Sequence, residues 1–110
     1  MPTPHHPPLA VGRTLRKLGG DLRDARKRRG LTAEIVAARA FTTRPTLQKI
    51  EAGDDGVSIG IYAAVLNALG LLDHLGHVAD PSTDEVGQHL AADALPTRVR
   101  RRSPKPISKT

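Results

Sequence analysis

Residues 31–53, LTAEIVAARAFTTRPTLQKIEAG, constrain the chain more than any other stretch. They read as two short helices joined by a tight turn. Thr32 stands just before an apolar-periodic run, where a hydroxyl suits an N-cap. Val36, Ala37 and Ala40 recur behind it at helical spacing. Phe41-Thr42 interrupts that period. Thr43 suits the cap of a second helix, with Pro45 in its first turn, where a missing N–H does no harm. Leu47 and Ile50 then face inward, and Gly53 supplies the stop.

Two short helices across a tight turn are the helix-turn-helix plan. The outer face of the second helix carries Arg44, Thr46, Gln48 and Lys49. Arginine and lysine donate to guanine O6 and N7, and glutamine and threonine reach bases or phosphates, so this face has the chemistry of a major-groove reader. It also has the chemistry of an ordinary solvated face, and spacing alone leaves both readings open.

The chain has 110 residues, enough for one small domain with tails. It has no Trp, one Phe and one Tyr, so the core must be built from Leu, Val, Ile and Ala, which favours an all-α fold. It has no Cys, which excludes disulfides, thiol catalysis and cysteine zinc sites. No apolar run approaches a membrane span and no signal-peptide core is present, so the expected compartment is the cytoplasm.

The net charge of +6 is distributed unevenly. Gly12 to Arg29 holds eight basic residues against Asp21 and Asp24. Gly30 to Pro96 holds three basic residues against nine acidic ones, and Thr97 to Thr110 holds six basic residues and no acid. The basic ends suit phosphate contact. The acidic middle turns part of the surface away from DNA or toward a basic partner.

Four segments follow from the pattern. Residues 1–8, MPTPHHPP, are half proline and are expected to be a disordered leader. Residues 9–79 form the helical domain. Its first helix is expected over Leu9 to Arg29, with Val11, Leu15, Leu18, Leu22 and Ala25 as an apolar stripe. Gly19-Gly20 weakens that helix by roughly 1 kcal/mol per Gly and leaves a start at Asp21 open. Lys27, Arg28 and Arg29 complement the dipole at its C-terminus and also suit phosphate contact. Ser58 caps a helix over Ile59 to Leu69, with Tyr62, Val65, Leu66 and Leu69 inward. A fifth helix over Leu71 to Val78 would present Leu72, Leu75 and Val78. His74 and His77 share a face and are read as a solvated pair, not a metal site. Residues 80–96 carry an extra helix from Thr83 to about Ala94, announced by the capping box Ser82 to Glu85, with Val86, Leu90, Ala91, Ala94 and Leu95 apolar and Pro96 as its stop. Residues 97–110 are a basic flexible tail.

Residues 12–72 resemble the xenobiotic-response-element (XRE) family of helix-turn-helix proteins. The resemblance is carried by Leu31, Thr32, Glu34, Ala37, Arg39, Ala40, Arg44, Pro45, Thr46, Leu47, Ile50, Glu51 and Gly53, with Thr43 where Ser is usual. It implies a five- to six-helix bundle of the lambda-repressor-like type with disordered termini. It also implies an ion pair between Arg26 and Glu51. Three positions depart from the family pattern. Ala33 replaces a glutamine that often touches phosphate. Phe41 replaces the turn glycine, where a bulky side chain at positive φ is strained. Ile35 replaces an exposed glutamate and would form an apolar patch with Phe41. The run from Ile50 to Arg102 is similar to HipB-type antitoxins, XRE repressors often encoded beside a HipA-type serine/threonine kinase toxin.

These readings converge on a DNA-binding transcriptional repressor that is not an enzyme and holds no metal or cofactor. No nucleophile motif, phosphate-binding glycine loop or Glu/His constellation stands on the framework. Thr43, Arg44, Pro45, Thr46, Gln48 and Lys49, with Thr32 and Lys27, are the expected DNA-contacting residues. Arg44 and Lys49 are expected at base edges, and Thr43, Thr46 and Gln48 at phosphates or in mixed contacts. The expected partners are double-stranded DNA, a second copy of the chain and a HipA-like kinase toxin, in a bacterial cytoplasm and at the nucleoid when bound to DNA. A stand-alone XRE regulator is the alternative.

Overall fold

The computed structural model describes residues 6–102, with side chains as far as residue 94. The expected leader over residues 1–5 and the tail over 103–110 lie outside the described residues. All regular structure among the described residues is helical: α1 Leu9–Arg28, α2 Ala33–Arg39, α3 Arg44–Glu51, α4 Ile59–Ala68, α5 Leu72–Gly76 and α6 Glu85–Arg102. A single 3₁₀ turn, Pro81–Thr83, precedes α6. Two compact units divide after Leu75.

The first unit is organised by an aliphatic core. Leu22 and Ala25 of α1, Val36 and Ala37 of α2 with Ala40 at its end, Leu47 and Ile50 of α3, and Tyr62, Val65 and Leu66 of α4 with Leu69 at its end are all buried. Leu18, Leu31, Val57, Leu71 and Leu75 close the edges of this cluster. Tyr62 brings the only aromatic ring into it. Its hydroxyl donates to the Asp54 carbonyl at 2.6 Å, so the polar end of the ring is satisfied.

Local chemistry sets the helix starts. The Thr32 side chain accepts from Ile35 N at 3.2 Å, Thr43 from Thr46 N at 3.3 Å and Ser58 from Ile61 N at 3.3 Å. Each satisfies one of the amides that an α-helix leaves unpaired at its first turn.

The helix ends share one motif. After each of α1 to α4 a left-handed residue lets the next amide reach back five residues: Leu31 to Arg26 O, Thr42 to Ala37 O, Asp54 to Lys49 O and Leu71 to Leu66 O. Glycine holds the left-handed position at Gly30, Gly53 and Gly70. The fourth is Phe41, at φ 55° and 97% exposed. Its side chain therefore gains no burial to offset a backbone conformation that disfavours L-residues by about 1–2 kcal/mol.

α1 is one helix from Leu9, so the start at Asp21 is excluded. Gly19 has a use that outweighs its low helix propensity. A Cβ there would lie 2.5 Å from Ile50 O and 2.7 Å from Glu51 O, so only glycine lets α1 reach the end of α3. Gly53 meets α1 from the other side, where a Cβ would lie 2.6 Å from the Arg16 backbone.

Four expectations need correction. Leu72 and Val78 do not face inward; both are exposed, and Leu75, as expected, packs on the core together with Leu71. The reason is that α5 is a single turn, too short to carry a stripe to Val78. Val11 is likewise exposed, because the α1 contact with the core begins at Leu18. Ser82 does not cap the last helix: its hydroxyl and amide both bond Asp80, which caps the 3₁₀ turn. Asp84 starts α6 by accepting from Gly87 N at 3.0 Å. Finally, α6 does not stop at Pro96 but runs on to Arg102. A proline removes one ladder bond, here to the Ala92 carbonyl, and bends a helix without forbidding the turns after it.

Candidate nucleic-acid interface

α3 presents two rows of side chains away from the core. Arg44 and Gln48, four residues apart, form one row; Pro45 and Lys49 form the next. All four are exposed, whereas Leu47 and Ile50 on the opposite side are 1% and 0% exposed. The helix is thus anchored by one face and offers the other. Thr43 and Thr46 stand at its N-terminus, the Thr43 hydroxyl donating to Thr46 Oγ1 at 3.0 Å. That contact leaves the Thr46 O–H free to donate outward.

The Arg44–Gln48 row borders a groove of about 450 Å³ whose other walls are Arg23, Arg26, Ala33, Leu47, Glu51 and Ala52. Three arginines therefore share one depression, in three different electrostatic states. Arg26 is committed: its Nε donates to Glu51 Oε2 at 2.8 Å and its Nη2 to Glu51 Oε1 at 3.1 Å. The side chains are 13% and 12% exposed. Arg26 Nη1 also donates to the Leu31 carbonyl at 3.1 Å. One guanidinium so ties α1, the α1–α2 turn and the end of α3 together, in the two-pronged geometry that makes such pairs strong. Hydrogen bonding to Glu51 raises the guanidinium pKa, against the opposing effect of partial burial, so the charge is permanent.

Arg44 is paired more loosely. Its Nη1 lies 3.0 Å from Glu34 Oε2, with the two side chains 68% and 64% exposed. Arg23 takes part in no ion pair among the described residues. The groove therefore holds one fully paired arginine, one tethered arginine and one arginine outside any ion pair among the described residues.

The match to known families decides what this frame is. Residues 17–76 match the family described as Helix-turn-helix domain. The chain belongs to the helix-turn-helix domain family. No curated protein and no solved structure matches it. The match spans most of α1 and all of α2, α3 and α4, so it covers the entire groove.

Within this helix-turn-helix domain the residues singled out from sequence fall into separate groups. Arg44 and Gln48 share the groove, Lys49 and Pro45 lie on the adjoining row, and Thr43 and Thr46 sit at the leading end of α3. Thr32 caps α2 with its side-chain oxygen. Lys27 is exposed in the last turn of α1 and is absent from the groove lining. Two groove features escaped the sequence reading. Arg23 was one of eight basic residues over Gly12 to Arg29, with nothing to mark it except its spacing. It stands four residues after Gly19 and three before Arg26, on the stripe that faces α3. Glu34 gave no sign of meeting Arg44, because the contact crosses from the start of one helix to the start of the next.

His74 and His77 are exposed, and no cluster of metal-ligating side chains occurs among the described residues. No helix among them is long and apolar enough to cross a membrane.

Proposed function

We propose that the chain is a sequence-specific DNA-binding transcriptional repressor that acts as a dimer. The observation that carries this reading is the setting of α3. A short helix is locked from behind by the Arg26–Glu51 pair and by the Gly19 approach, and it offers Arg44, Gln48 and Lys49 to a ligand. Fixing the helix before contact lowers the ordering cost of reading a base. Arg44 at the first turn suits a bidentate contact with guanine, and Arg23 and Lys27 suit phosphates on either side. Dimerisation follows from economy of recognition: one short helix reads few bases, and two copies read half-sites about 34 Å apart along the duplex. Selection from a random duplex library by the full chain is the test. The expected product is a two-fold symmetric motif with half-sites one helical turn apart; a pool without a motif contradicts the reading.

A narrower role rests on the similarity of residues 50–102 to HipB-type antitoxins. In it the same protein neutralises a HipA-like serine/threonine kinase and represses their shared operon. Asp84 at the start of α6, with Glu85 and Asp93 on it, suits a partner surface with basic groups. A chain ending at Ala79 is expected to keep DNA binding and lose growth rescue against the kinase. Rescue by that truncation would move the kinase contact onto the first unit. Failure of any kinase to co-purify with the full chain would leave a stand-alone XRE-type regulator.

A further inference from the structure

We propose that Glu34 tunes the selectivity of Arg44, biasing its guanidinium toward a neutral base edge and away from DNA phosphate. The proposal rests on the DNA-reading role given to α3 above. Glu34 stands in the first turn of α2, where a carboxylate complements the helix dipole. That accounts for an acid at this position but not for its contact with Arg44 across the turn at 3.0 Å. About two-thirds of each side chain is exposed, so the pair contributes little to holding the fold. It is also open to an incoming ligand.

The contact occupies one terminal nitrogen of a group that carries five N–H donors. The Nε and Nη2 donors remain as a free fork, the shape that matches guanine O6 and N7. A guanine edge is neutral and can be met while Glu34 stays in place. A phosphate is an anion. To bind Arg44 it must displace the carboxylate or stand beside it, and either choice is unfavourable. Since phosphate contact dominates non-specific affinity, a carboxylate on the reading arginine penalises wrong sites more than right ones. The groove divides the labour accordingly. Arg23, which takes part in no ion pair among the described residues, is the phosphate contact; Arg44, held by Glu34, is the base contact. Glu34 is a positioning residue, because it acts through Arg44.

The test uses the full chain with Glu34→Gln, Glu34→Asp, Arg44→Ala and the double variant Glu34→Gln/Arg44→Ala. Dissociation constants are measured at one salt concentration for a selected duplex and for a scrambled duplex of equal length, with thermal midpoints as the folding control. Glu34→Gln should tighten the scrambled duplex by about three- to fivefold, the size of one exposed ion pair, and change the selected duplex less. The specificity ratio should fall by the difference, and Glu34→Asp, which keeps the charge, should restore most of it. With Arg44 removed, Glu34→Gln should shift both duplexes by the same factor. An unchanged ratio in Glu34→Gln overturns the proposal. An equal loss of ratio in the Arg44→Ala background also overturns it, because Glu34 would then act as general surface charge. If the wild-type chain itself fails to discriminate the two duplexes, the DNA-reading role falls as well. If it discriminates and Glu34→Gln matches it, the Glu34 assignment alone falls.

Discussion

α3 and α6 are a short and a long way in which this chain makes a well-capped helix. α3 has eight residues, α6 eighteen. Thr43 caps one and Asp84 the other. An isolated helix of eight residues does not persist in water, since nucleation outweighs so few hydrogen bonds. α3 is nevertheless the better determined, because everything that fixes it comes from elsewhere: the core under Leu47 and Ile50, the α1 backbone against its last carbonyls at Gly19, and Arg26 on Glu51. On α6, Val86 and Leu90 are 70% and 65% exposed, and the local bonds run from the Gly87 amide to Asp84 and from the Gln88 side chain to the Pro81 carbonyl. The difference teaches that a fixed surface here is made by burial behind it, not by helix length or propensity.

Substitutions can break that contrast. Ile50→Ala should destabilise the first unit most, by about 3–5 kcal/mol, because the site is wholly buried and packed on all sides. Chemical denaturation measures it. Removal of one partner of the Arg26–Glu51 pair comes next, at about 2–4 kcal/mol, since it strands a charge that is only slightly solvated. A double-mutant cycle should give coupling well above that of an exposed pair, and coupling near zero would make Arg26 an ordinary surface cation.

Tyr62→Phe removes the bond to the Asp54 carbonyl and should lower stability by about 0.5–1.5 kcal/mol. It should also flatten the alkaline limb. Burial, and then the charges of Asp54 and Asp55, push the Tyr62 hydroxyl above its ordinary value near 10. The unfolded chain loses this proton first, so stability is complete below pH 10 and falls as pH rises toward the folded-state value. Phe41→Gly should act in the opposite direction, stabilising by about 0.5–1 kcal/mol through relief of the left-handed backbone, although it removes the largest exposed apolar side chain of the turn. On α6, Leu90→Ala should change stability by less than about 0.5 kcal/mol. A loss comparable with that of Ile50→Ala would erase the contrast.

The same contrast explains what could be read from the residues. The caps at Thr32, Thr43 and Ser58, the inward rows of α3 and α4 and the all-helical class were legible, because each depends on neighbours within one turn. The purpose of Gly19 was not. Its low helix propensity is visible in sequence, whereas the carbonyls of Ile50 and Glu51 that require it lie some thirty residues away. Arg23 was hidden for the same reason, among basic residues that differ only in what α1 faces. At the start of α6 the Ser82 amide is taken by Asp80, and Asp84, not Ser82, caps the helix by accepting from Gly87 N. The α5 stripe failed because spacing cannot announce that a helix has one turn. Arg44 was singled out correctly as exposed, but its partner Glu34 was not, since the tether depends on the angle at which two helices meet.

The central claim is that α3 reads DNA through its exposed row, and Arg44→Ala tests it most directly. The full chain and the variant are titrated against the selected duplex and against duplexes changed one base pair at a time. The account predicts a loss of about 1–3 kcal/mol for the selected site and a collapse of preference at one position per half-site, with the remaining preferences kept. A variant that binds the selected duplex with wild-type affinity and an unchanged base profile would contradict it.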